Sequence, residues 1–131
     1  SAAAMGATAF QKGLGAIHAL SHPLGAIYHT HHGTTNAVCM PAVLQFNKPA
    51  ITEVIEQAAS YLKIDGGFDG FCAYVDDLNA SLGIPKNFTE LGIQNIDVDR
   101  VVAGALIDPS TGGNPIKMTK ENTTKLLLEI V

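Results

Sequence analysis

The chain has 131 residues, enough for one domain with a real hydrophobic core. Apolar residues make up 47% of it but charged residues only 15%, against about 25% in an ordinary globular domain, so part of its surface is expected to be covered by a partner or a further domain. The net charge of -4 gives no electrostatic case for nucleic acid binding, and residues 13–46, although uncharged, are too interrupted by His, Pro, Gly, Thr and Asn to make a membrane span.

Residues 2–10 are rich in Ala, the best helix former, and predict a first helix. Ser1 runs straight into AAAMGATAF with neither a start methionine nor a capping sequence. This reads as a helix entered part-way, and the expectation is a truncated or expressed piece of a longer protein. No basic segment precedes these apolar residues as in a signal peptide, so a cytoplasmic location is expected. Leu14, Ile17, Leu20, Leu24 and Ile27 predict a second helix, with Pro23 kinking it or ending it near His22. Gly33 breaks the pattern, and Thr34, Thr35 or Asn36 is expected to cap a third helix running to about Phe46, with Pro41 as a kink. After Asn47, Pro49 suits the first turn of another helix with an apolar stripe of Val54, Ile55, Ala58, Ala59 and Leu62. Phe68, Phe71, Val75, Leu78 and Leu82 follow helical spacing, and Gly83 and Pro85 end that helix. Val98, Val101, Val102, Ala105 and Leu106 make a further helical stripe, although the branched residues of Val101–Ile107 also suit a strand. DPSTGGNP (108–115) is the strongest turn signal, and Thr119 caps a last helix containing Leu126, Leu127 and Ile130. No segment alternates with period two, so the fold class is all-α. Cys39 and Cys72, far apart and outside any C-x-x-C, read as buried reduced thiols rather than a disulfide.

All five histidines, His18, His22, His29, His31 and His32, fall within fifteen residues. No Asp or Glu precedes Glu53, and Lys12 is the only charged side chain before Lys48. Surface helices carry charge on their outer face, so this segment is expected to be buried around a site. His18 and His22, four apart, share one helix face. His32 lies fourteen residues beyond His18 and must be brought back by a turn, giving two imidazoles from one helix and a third from the start of the next. Neutral imidazole suits Zn, Fe, Ni and Cu. A catalytic metal often mixes His with carboxylate; here a carboxylate either returns from residues 53–131 or lies outside the chain. His29 and His31 are expected beside the site or on the surface. Gly66-Gly67 and Gly112-Gly113 read as turn glycines, and no G-x-G-x-x-G is present.

The stretch GLGAIHALSHPLGAIYHTHHGTTNAVCMPAVLQFN (13–47) closely resembles the histidine signature of the iron-containing (group III) alcohol dehydrogenases. Its pattern G-x-x-H-x-x-[small]-H-x-x-G, then usually Pro-His-Gly after five residues, is met by Gly15, His18, Ser21, His22, Gly25 and His31-His32-Gly33. LGIP (82–85), ELGI (90–93) and STGGNP (110–115) extend the resemblance along nearly the whole chain. It implies a helical bundle like the C-terminal domain of the dehydroquinate synthase-like, iron-containing alcohol dehydrogenase fold. The chain would be the later part of that domain, lacking the first metal-binding helices and the Rossmann-like N-terminal domain that binds NAD(P). The resemblance implies His18 and His32 as ligands of Fe2+, or alternatively Zn2+, and His22 as the catalytic histidine beside the metal. The remaining ligands, an Asp and a His four residues apart, would lie upstream of Ser1. The implied reaction is hydride transfer between a primary alcohol/aldehyde pair and nicotinamide in a homo-oligomer, with the chain alone inactive. His31 stands where Pro is usual, Ser110 where some relatives have Cys, and Ile116-Lys117 where Arg is common. The competing class is a non-enzymatic helical metal-binding or scaffold module.

Overall fold

The computed structural model describes residues 1–9, 11 and 13–131. Among the described residues six α-helices follow in order: α1 (Ala2–Ala9), α2 (Ala16–Tyr28), α3 (His32–Leu62), α4 (Gly67–Ser81), α5 (Val98–Ile107) and α6 (Lys120–Leu128), with a 3₁₀ turn, Pro109–Gly113, between α5 and α6. Among the described residues there is no strand, and Val101–Ile107 is helical. The expected end of the first helix, Phe10, lies outside the described residues. No helix is long and apolar enough to cross a membrane among the described residues.

α2 is the centre of the molecule. It packs against α3 on one side and α5 on the other, and α5 continues onto α6. Leu20 and Leu24 of α2, Val38 and Cys39 of α3, Val101 and Val102 of α5, and Leu126 and Leu127 of α6 share one core. Phe88, fully buried, closes it from the irregular segment after α4, its N–H donating to the Ile130 carbonyl at 2.9 Å. A smaller core joins Leu44 of α3 to Phe68 and Val75 of α4. Both cysteines are free thiols; Cys39 is buried and Cys72 half-buried, and burial pushes the Cys39 thiol up to about 12.

Three sequence expectations are corrected, all at helix boundaries. Pro23 neither ends nor splits α2, which runs on to Tyr28. Its ring lies buried against Gly104 of α5, where an added Cβ would come within 2.8 Å of the Pro23 Cβ, so the close α2–α5 packing holds the helix through the proline. Pro41 and Pro49 lie inside a single 31-residue helix rather than dividing two. Pro41 has no N–H for the carbonyl of Ala37 four residues earlier, and the side chain of Asn79 on α4 donates to that carbonyl at 3.0 Å instead. The helix therefore survives its proline because a neighbouring helix supplies the missing donor. Finally, none of Thr34, Thr35 and Asn36 caps α3: His31 does, and Gly33 lies in the first turn. Of the stripe expected on the second half of α3, Ala59 alone is buried, Ile55 and Ala58 are half-buried, and Val54 and Leu62 are exposed, because α4 covers only the Leu44–Ile55 side. Leu78 and Leu82 likewise stay exposed.

Candidate metal centre

The N-terminus of α2 places His18. Its N-cap, Gly15, has no side chain to satisfy the first amides of the helix. Asn114, from the STGGNP loop, does so across the fold: its Oδ1 accepts from the N–H of Ala16 at 3.0 Å and from Asn47 Nδ2 at 2.9 Å, while its Nδ2 donates to Asn47 Oδ1 at 2.8 Å. Only glycine fits at 113, where a Cβ would collide with the Leu14 carbonyl oxygen. The loop that reads in sequence as a simple turn is thus the clamp that fixes where α2 begins, two residues before His18.

His29, Thr30 and His31 reverse the chain between α2 and α3. His29 takes the left-handed conformation (φ 57°, ψ 34°) as the C-cap of α2, its N–H donating to the Gly25 carbonyl at 2.9 Å; histidine tolerates that region better than most residues. His31 caps α3, its Nδ1 lying 3.3 Å from the Thr34 amide. The buried Thr35 hydroxyl binds Thr30 Oγ1 at 2.8 Å and the His31 carbonyl at 2.9 Å, tightening the turn from inside.

The result is a cluster of three imidazoles. Ring centroids are 5.2 Å apart for His18 and His32, 5.6 Å for His18 and His22, and 5.4 Å for His22 and His32. The two-helix arrangement expected from the spacing is the one the backbone adopts. The expectation of a buried segment is only partly met. Ala16, Ala19, Leu20, Ser21, Pro23 and Leu24 are buried, but His22 and His32 are exposed and His18 is half-buried. The apolar face of α2 enters the core, and the imidazoles lie on its outer edge.

His18 and His32 turn the same nitrogen toward one point: the amide nitrogen of Asn36 lies 3.3 Å from His18 Nε2 and 3.1 Å from His32 Nε2. Asn36 Oδ1 is buried without a hydrogen-bond partner. Burial, then the imidazoles of His32 and His22, lower the His18 pKa, with Asp108 opposing them. That favours the neutral ring, the form that binds metals. Two Nε2 atoms converging on one point fit a divalent ion. They do not enclose one, since among the described residues no three His, Cys, Asp or Glu side chains form a metal-holding group.

His22 is engaged differently. Its Nδ1 lies 2.8 Å from Asp108 Oδ2, from the end of α5. Burial works against ionisation of Asp108, whose side chain is only 10% exposed, but the Ser110 N–H at 2.8 Å and the His22 and Ser110 side chains outweigh it and hold the carboxyl below its usual range. The carboxylate is therefore ionised and accepts the His22 Nδ1–H. A carboxylate does return from residues 53–131, but to His22. Asp108 passes unnoticed in the sequence because it stands 86 residues from His22, in a stretch whose Pro and Gly account for it as a turn.

Comparison with known proteins decides the family. The model of the Fe-containing alcohol dehydrogenase family, C-terminal, matches residues 1–131. The chain belongs to this family. It is 40% identical over 136 aligned residues to 4-hydroxybutyrate dehydrogenase from Cupriavidus necator, covering 97% of this chain and 35% of that protein. Lactaldehyde reductase from Escherichia coli K12 is 34% identical, with 87% of this chain and 32% of the relative covered. Among solved structures, a 1,3-propanediol oxidoreductase superposes with a TM-score of 0.82 at 28% identity over 90% of this chain and 33% of that one. Other relatives are named for dependence on NAD and on NADPH. The chain spans about a third of the length of these relatives. The all-α fold agrees with the resemblance drawn from sequence.

Proposed function

We propose that this chain is the C-terminal, metal-bearing part of an NAD(P)-dependent alcohol dehydrogenase that interconverts a primary alcohol and its aldehyde in the cytoplasm. The observation that carries this reading is the convergence of His18 and His32 Nε2 on one point, with His22 beside them. His18 and His32 would hold Fe2+ or, alternatively, Zn2+, and the other ligands come from the preceding part of the protein, together with the nicotinamide-binding domain. A bound divalent ion supplies Lewis-acid polarisation of the alcohol oxygen. Two converging nitrogens are fewer than the four donors of a closed structural metal site, which argues against a self-contained metal-binding module.

His22 handles the proton in this account. Its Nδ1–H is held by ionised Asp108, which leaves Nε2 as the ring nitrogen that can take or give a proton. In oxidation the hydroxyl proton of the alcohol would pass toward that nitrogen, while a nicotinamide held by the preceding part of the protein would take up the hydride; reduction would reverse both transfers. Such a group contributes about 10²–10⁴-fold to the rate. The 40% identity to a 4-hydroxybutyrate dehydrogenase supports short ω-hydroxy acids as substrates to try first.

In the full-length protein, His18→Ala and His32→Ala should each deplete bound metal as measured by elemental analysis. His22→Ala should keep most of the metal and lower kcat by about 10²–10⁴-fold. Equal metal loss in all three variants would make His22 a ligand and overturn the division of roles.

A further inference from the structure

Asn36 stands one turn into α3, four residues after His32, and faces His18 across the α2–α3 contact. An amide nitrogen carries two hydrogens and has no lone pair to offer. Placed 3.3 and 3.1 Å from two imidazole Nε2 atoms, it can satisfy both rings only if both Nε2 atoms are bare and both rings carry their proton on Nδ1. The other end of the same side chain, Oδ1, is buried with no partner, an arrangement that costs free energy. Asn36 therefore gives up one polar contact and places its NH2 group between the two histidines.

We propose that Asn36 is a positioning residue for the metal pair: its NH2 group locks His18 and His32 with unprotonated Nε2 atoms aimed at one point, and an arriving divalent cation takes the place of that group. This rests on the assignment of His18 and His32 as metal ligands. A metal must compete with any proton on the ligand nitrogen, so rings already held in the Nδ1–H form need no tautomer change before binding. Partners that orient ligands in this way are commonly worth 10–100-fold in metal affinity. Asn36→Ala removes the donor that faces both Nε2 atoms, so the Nε2–H tautomer gains population. Asn36→Asp keeps the side-chain size but offers only acceptor oxygens, so it draws an Nε2–H from each ring and inverts the lock.

The test uses the full-length protein, labelled with ¹⁵N at histidine, freed of metal by chelation and held near pH 8. Long-range ¹H–¹⁵N spectra report which ring nitrogen carries the proton, and a zinc titration on the same samples reports affinity. The expected result is Nδ1–H at His18 and His32 in the wild type, a larger Nε2–H population at both in Asn36→Ala and Asn36→Asp, and zinc binding at least tenfold weaker in Asn36→Ala. Nε2–H tautomers in the wild type, or tautomers and zinc affinity unchanged by Asn36→Ala, would overturn the proposal. Tautomers that follow the expected pattern while no version binds zinc would support the bridge and overturn the metal assignment beneath it.

Discussion

His22 and Asp108 show what a single contact does at this edge of the fold. Histidine can place its one neutral proton on either nitrogen, and the acceptor it meets decides which. Asp108 is that acceptor, and it stays ionised because the Ser110 amide and the His22 ring outweigh the burial that opposes its charge. The sign of the pH effect follows. A carboxyl held below its unfolded value of about 4 contributes stability that is fully present above that pH and is lost as pH falls through the folded value. Acid unfolding of the chain, followed by circular dichroism, should therefore show a shallower loss of stability below about pH 4 in Asp108→Asn than in the wild type. Equal slopes would mean that the hydrogen bonds do not hold the carboxyl down. The three clustered imidazoles were legible in the sequence, because helical spacing and a short turn suffice to bring them together. Asp108 and Asn36 were not: the first depends on contact over 86 residues, and the second reads equally well as a helix cap until its neighbours are known.

At the scale of helices, apolar periodicity located every major element, and the prolines misled about where the elements end. The physical reason is that a proline ends a helix only if its orphaned carbonyl finds no other donor and its ring no room. Both needs are met here by other helices. Asn79 reaches from α4 to the Ala37 carbonyl beneath Pro41, over a separation of 42 residues, and Gly104 of α5 leaves space for Pro23. This makes a measurable coupling. Asn79→Ala should cost about 1–3 kcal/mol, the usual penalty of a stranded buried acceptor, and less in a Pro41→Ala background, where the restored N–H can serve the same carbonyl. Denaturant unfolding of the two single variants and the double variant measures the difference. Strict additivity would show that Asn79 acts through some other contact. The STGGNP loop carries the same lesson: its Asn114 caps α2 from 98 residues away, a role that turn chemistry alone does not reveal.

The whole molecule buries Leu20, Leu24, Val101, Val102, Leu126 and Leu127 in its core and places His22, Asp108 and His32 at an edge with exposed Ile107 nearby. In the proposed dehydrogenase, nicotinamide and alcohol would meet at that edge, with water excluded from it. The chain spans about a third of its relatives and matches their C-terminal family model. Purified on its own, it should oxidise no alcohol with NAD or NADP in a spectrophotometric assay; turnover that survives further purification would contradict the proposed division between two parts. The central claim concerns where a metal binds, and an anomalous difference map answers that most directly. In crystals of the full-length protein loaded with iron or zinc, the account predicts one strong peak at about 2.0–2.1 Å from both His18 Nε2 and His32 Nε2, with His22 outside bonding distance. A peak bonded to His22, or full occupancy elsewhere with the His18–His32 pair bare, would contradict it.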